Sequence, residues 1–169
     1  MSRVLVVGSL NMDITVTVDS FPKLGETIPG KTLNFSCGGK GANQAISIAK
    51  LGNEVTLLGC VGQDNSGDTL INNLKESNVD TNHIFKTPSQ PTGTAVIGVD
   101  NSGDNCIIII AGANHCCDVE FIKNNDELIK QCDYILLQME IPLSAVYYTI
   151  ERAYELDPKF GVKIFQHQA

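Results

Sequence analysis

The sequence predicts an α/β protein, with a mostly parallel sheet whose strands are joined by crossover helices and a small second sheet standing off it. Three observations carry this expectation. Short apolar runs alternate with segments of helical period, the pattern of parallel strands and their connections. Two β-rich segments break that alternation, one by showing a polar face and the other by closing around a turn cluster. The chain of 169 residues, 43% hydrophobic and 18% charged, has the size and composition of one soluble globular domain rather than two.

Taken in order, Val4–Gly8 is an apolar run ending on glycine and reads as the first parallel strand. In "NMDITVTVDSF", Ile14, Val16 and Val18 alternate with Thr15, Thr17 and Asp19, so this strand has one wet face and belongs off the main sheet. "FSCGGKGANQAISIAKLG", Phe35 to Gly52, places a glycine-rich turn before a helix over Asn43–Leu51 that buries Ala45, Ile46 and Ala49 and stops at Gly52. Val55–Val61 is the next strand. Ser66–Ser77 is a helix with Leu70, Ile71 and Leu74 on one face. In "TGTAVIGVDNSGDNCIIIIAGAN" two β-rich runs flank the cluster Asp100–Asp104, which predicts a hairpin in the second sheet. Tyr134–Met139 returns to the main sheet, and Pro142 opens the helix Leu143–Leu156, whose Leu143, Val146, Tyr147, Ile150, Ala153 and Tyr154 keep helical spacing. Val162–Phe165 closes the pattern as a last strand.

Composition excludes several classes of function. A formal charge of −7 with scattered Lys and Arg offers no field for a polyanion, so nucleic acid is not expected as a partner. The run Val4–Val7 leads straight into Gly8-Ser9 and is far too short to span a bilayer; no signal segment is read, and a cytoplasmic protein without a membrane partner is expected. The cysteines Cys37, Cys60, Cys106, Cys116, Cys117 and Cys132 show neither CxxC nor paired Cys/His spacing and read as core thiols rather than metal ligands or disulfides.

In an open parallel sheet the ligand site lies beyond the carboxyl ends of the strands. Asn11 and Asp13 follow the first strand, two apart and therefore on one side, with Met12 facing the other way. Glu140 follows the strand Tyr134–Met139. The turn Gly38–Asn43 stands at a helix N-terminus, where free backbone N–H groups attract anions and polar ligands. A phosphate loop is disfavoured there, because Gly41 occupies the place after Lys40 where a hydroxyl residue is needed. Carboxylates, an amide, an ammonium and backbone donors around one rim suit a polyhydroxyl ligand, whose hydroxyls each want a donor and an acceptor. Taken singly, Asn11 and Asp13 could hold a turn, Glu140 could be a solvated loop end and the glycines could serve φ > 0. Lys40 is ionised at neutral pH and cannot act as a base, and His83, His115 and His167 lie in unrelated segments.

The ordered strings "GSLNMD", "FPKLGET", "CGGKGANQAISIAKLG", "GCVGQDNSGDTL", "TGTAVIGVDNSGDNCIIIIAGAN" and "LLQME" resemble the PfkB-type carbohydrate kinase family, and within it the ribokinases. The likeness runs from Arg3 to about Ile164. It implies a sugar site made by Asn11, Met12 and Asp13, by Gly39, Lys40, Gly41, Ala42 and Asn43, and by Glu140. It also implies a β-lid, formed by segments of about 13–19 and 94–110, which covers the sugar and pairs with the lid of a second subunit. The implied reaction is ATP-dependent phosphorylation of D-ribose at O5, with Mg2+ and a monovalent cation.

The family's catalytic Gly-Ala-Gly-Asp and its Asn-x-x-Glu motif have no counterpart in these residues, and Gln166-His167-Gln168-Ala169 stands where the family continues Asn-Pro-Ala-Pro-Ala. Residues 1–169 are accordingly expected to be the N-terminal, sugar-binding part of a ribokinase-like domain without its ATP-binding half, as a truncation, frame change or alternative exon would leave it. The alternatives are a non-catalytic sugar-binding or dimerising isoform and, more distantly, a nucleotide-binding oxidoreductase, against which stands the lack of Gly-x-Gly-x-x-Gly after the first strand.

Overall fold

The computed structural model describes residues 2–157 and 161–165, Phe165 by its backbone alone; the tail Gln166–Ala169, with His167, lies outside the described residues. The main sheet has five parallel strands: β1 (Arg3–Val7), β4 (Glu54–Gly62), β5 (Ile84–Thr87), β8 (Tyr134–Gln138) and β9 (Gly161–Phe165), in the order β5-β4-β1-β8-β9. The near-continuous apolar sequence of β1, β4 and β8 follows from burial on both faces. Val4, Val6, Val55 and Leu57 pack against α1 (Lys40–Lys50) and α2 (Asn65–Glu76), whereas Leu5, Val7, Leu58 and Cys60 turn to the other side. There they meet a 3-10 turn (Gly112–Cys116), α3 (Val119–Lys123), α4 (Asp126–Gln131) and α5 (Leu143–Leu156). The result is three layers.

The second sheet contains β2 (Asn11–Thr17), β3 (Thr32–Gly38), β6 (Gly93–Val99) and β7 (Asn105–Ile110), in the order β3-β2-β6-β7. The expected hairpin is β6–β7, with Thr94 opposite Ile110 and Val99 opposite Asn105. Both faces of β7 are exposed, so this sheet projects from the body.

Three features differ from the sequence expectation. The stretch before the glycines, to which no element is assigned from the sequence, is a strand: Thr32–Gly38, held against β2 in register from Asn11–Gly38 to Thr17–Thr32. The helix begins at Lys40 rather than Asn43, because Gly39, at φ 93°, reverses the chain sharply enough for Lys40 and Gly41 to enter the first turn. The short strand Ile84–Thr87 carries too few apolar residues to announce itself and pairs only as an edge beside β4. Among the cysteines, Cys60 and Cys117 are buried thiols as expected, but Cys106 is exposed on β7.

Candidate functional site

The main-sheet order places a topological switch beside β1: the chain passes from β1 to β4 on one side and later returns through β8 on the other. Neighbouring strands diverge in their connections there, leaving a crevice at their carboxyl ends. β1 ends at Val7 and delivers Gly8–Leu10, followed by β2; β8 ends at Gln138 and delivers Glu140. The N-terminus of α1 fills the third side. A cavity of about 650 Å3 opens at this point, lined on the polar side by Asn11, Asp13, Gly39, Lys40, Asn43 and Glu140. Its other wall comes from the projecting sheet, where Ala95 and Ile97 of β6 and Asn105, Ile107 and Ile109 of β7 share one face by strand alternation.

The polar groups are held in distinct ways. Glu140 forms an ion pair through Oε1 with Lys40 Nζ, and its Oε2 accepts from Ser9 Oγ at 2.6 Å and from the Lys40 backbone N–H at 3.3 Å. Burial works to raise the Glu140 pKa, but the hydrogen bonds from Lys40 and Ser9 outweigh it and hold the carboxyl below its ordinary value. Asp13 is the opposite case. No hydrogen bond reaches its carboxylate among the described residues, and burial, followed by repulsion from Glu140, raises its pKa. Asp13 also packs so closely on β3 that a Cβ at Gly38 would fall 2.2 Å from Oδ2.

The expected free donors at the glycine turn are a correction. The first N–H groups of α1 are already taken within the chain: Lys40 N by Glu140, Gly41 N by Ser9 Oγ at 3.4 Å, and Ala42 N by Ser9 O at 3.0 Å. An internal carboxylate thus occupies the position a phosphate would take. Gly41 and Ala42 are buried under this contact, and a Cβ on Gly41 would fall 2.7 Å from Ser9 N. They shape the turn and offer no side chain to the cavity. Met12 is likewise corrected. It points to the opposite face of β2, is 7% exposed and joins the core beside α1 and α2. The structure therefore brings together Asn11, Asp13, Gly39, Lys40, Asn43 and Glu140, and leaves Met12, Gly41 and Ala42 behind the rim.

Two buried polar residues of the site were not singled out from the sequence. Ser9 sits directly after β1, where the carboxyl-end rule could have found it. Asn114, 1% exposed, bonds Leu10 and Asn11 across more than a hundred residues of sequence, so no local signal marks it. The apolar wall Ala95, Ile97, Ile107 and Ile109 reads in sequence only as β-rich. His83 meets Asn125 and His115 is exposed, both away from the cavity. Among the described residues no three His, Cys, Asp or Glu side chains converge to hold a metal, and no helix is long and apolar enough to cross a membrane.

A switch-point crevice walled by a projecting β-sheet is the architecture of a sugar kinase of the ribokinase fold. Residues 1–154 match the profile of the pfkB family carbohydrate kinases, and the chain belongs to that family. It is 38% identical to a ribokinase of Schizosaccharomyces pombe, over 100% of this chain and 54% of the relative. It is also 37% identical to a deoxyribokinase of Salmonella typhi, over 98% of this chain and 53% of the relative. The structure of Arabidopsis thaliana ribokinase complexed with ribose and ATP superposes with a TM-score of 0.85 at 34% identity, covering 98% of this chain and 53% of that one. The chain thus spans about half the length of these relatives.

Proposed function

We propose that this chain provides the sugar-binding part of a ribokinase-type kinase, a phosphotransferase that moves the γ-phosphoryl group of ATP to O5 of D-ribose. The observation that carries the reading is the Asp13 carboxylate, half-buried at the cavity, without a hydrogen-bond partner among the described residues, and two residues from the Asn11 amide on the same strand face. A carboxylate so placed accepts two vicinal hydroxyls, and the isoleucine wall takes the C–H face of the ring. Lys40 and Glu140 neutralise each other, which suits a neutral sugar better than an anion. The ribose and ATP held by the Arabidopsis relative support the same assignment.

ATP, Mg2+ and a monovalent cation belong, in this reading, to residues outside these 169. The donors at the α1 N-terminus are engaged by Ser9 and Glu140 and do not fit a phosphate cradle. These residues alone are expected to transfer no phosphate from ATP to ribose above a blank. The projecting sheet acts as the lid over about 13–19 and 94–110. Its outer face carries Ile14, Val16, Phe35, Val96, Ile108 and Ile110, with Phe35 64% and Ile108 60% exposed, and pairs with the same face of a second copy.

The deciding experiment is calorimetric titration with D-ribose. Asp13→Ala removes two charge-assisted hydrogen bonds, roughly 3–6 kcal/mol before water replaces them, and ribose binding should become undetectable. Unchanged affinity in a folded Asp13→Ala protein would show that Asp13 only holds a strand.

A further inference from the structure

Asn114 is 1% exposed and does not itself line the cavity. Its carboxamide nevertheless settles what the cavity presents. The Leu10 N–H donates to Asn114 Oδ1 at 2.9 Å, and Asn114 Nδ2 donates to the Leu10 carbonyl at 3.2 Å. A backbone N–H can only donate and a carbonyl can only accept, so this pair fixes which end of the Asn114 amide is oxygen. The second Nδ2 hydrogen then donates at 2.7 Å to Asn11, and the atom receiving it must be Asn11 Oδ1. Asn11 lines the cavity and is 4% exposed, and its Nδ2 makes no hydrogen bond among the described residues.

The geometry points to Asn114 as a positioning residue that locks the Asn11 amide with its N–H groups toward the cavity, so that the ligand atom read by Asn11 must be an oxygen acceptor. This rests on the sugar-binding reading and deepens it. The cavity floor becomes a polarised pair, donor at Asn11 and acceptor at Asp13. A hydroxyl or ring oxygen satisfies Asn11, whereas a protonated amino group, with no lone pair, cannot. Gly93 supports the lock: a Cβ there would fall 2.3 Å from both Asn11 Oδ1 and Asn114 Nδ2. Because Gly93 opens β6 and Leu10–Asn11 opens β2, the same cluster fastens the root of the projecting sheet to the main body.

The test uses the 169-residue protein with 15N-labelled asparagine, reading side-chain amide exchange and the shifts caused by D-ribose. In the unaltered protein the Asn114 amide protons should exchange at least about tenfold more slowly than those of Asn11, since both are hydrogen-bonded and buried. Ribose should shift the Asn11 pair. In Asn114→Asp the carboxyl has at most one proton and cannot donate to both Leu10 and Asn11. Asn11 must then rotate to donate, so its protons become protected and ribose affinity falls about tenfold or more. Asn11→Asp keeps the acceptor for Asn114 and replaces the cavity-facing donor with an oxygen, so affinity should fall similarly while Asn114 stays protected. Protected Asn11 protons beside unprotected Asn114 protons in the unaltered protein, or unchanged ribose affinity in folded Asn11→Asp, would overturn the assignment. If ribose binds no variant and not the unaltered protein, the sugar reading falls, and the exchange pattern still decides the role of Asn114.

Discussion

Replacing Lys40 with methionine keeps most of the side-chain length and removes the ammonium that pairs with Glu140. The pair is unequal in exposure, 37% at the Lys40 side chain and 15% at Glu140, so the carboxylate suffers most when it is broken. A hydrogen bond between charged groups contributes about 1.5–3 kcal/mol, and solvent at the Lys40 end reduces this to about 1–2 kcal/mol. For a domain of this size about 2–4 °C of Tm accompanies each kcal/mol, giving a fall of about 2–8 °C at neutral pH. The sign with pH follows from the direction of the Glu140 shift. Its folded pKa is depressed, so it contributes stability that is present above the unfolded value and lost as pH falls through the folded one. The gap between Lys40→Met and the unaltered protein should therefore be widest near neutrality and close in acid. In the variant, burial is opposed only by Ser9 and the backbone, and the Glu140 carboxyl should titrate higher by 13C NMR. Urea unfolding at several pH values measures the gap. Equal stability at neutral pH, or a gap that widens in acid, would refute the reasoning.

Asp126 accepts two bonds from Arg152, at 2.6 and 2.9 Å, and pairs with Lys130 at 3.0 Å, and together these bring its carboxyl down from 3.8 to about 2. Asp126→Asn should cost about 2 kcal/mol in neutral urea unfolding, a difference that disappears as pH falls from about 4 to about 2. Gly39→Ala places a Cβ 2.7 Å from Asn11 N and Ser9 O at a φ of 93°, so expression in the soluble fraction should collapse, and any folded protein should have lost ribose binding. Val16→Lys sets a charge on the outer face of the projecting sheet; light scattering at micromolar concentration should move from dimer to monomer while the circular dichroism stays unchanged. Since Asp13 titrates above an ordinary aspartate, ribose affinity should weaken on acidification at a correspondingly higher pH, measurable by calorimetry.

By itself the sequence determined the elements whose signal is local. The runs at Val4, Val55 and Tyr134 are nearly continuous in apolar residues because strands covered on both faces need no polar side, and Leu143–Leu156 has the bounds its spacing predicts. Alternation around Ile14 and the turn cluster at Asp100 likewise separated the second sheet, because a strand with a wet face must alternate. Asn11, Asp13, Lys40 and Glu140 were legible as rim residues, since strand order in an open sheet dictates where carboxyl ends gather. Only the tertiary structure decided how those groups are spent. Whether the helix N-terminus is free depends on Glu140 arriving from a hundred residues away, and it arrives to fill it. Strand Thr32–Gly38 alternates Leu33, Phe35 and Cys37 with Thr32, Asn34 and Ser36, which fits a strand, but its place beside β2 is decided by the ladder the two form. The direction of the Asn11 amide hangs on Asn114, brought against it by the return of the chain from β7. Hydrogen-bond partners far apart in sequence leave no periodic trace, because the folded backbone chooses them.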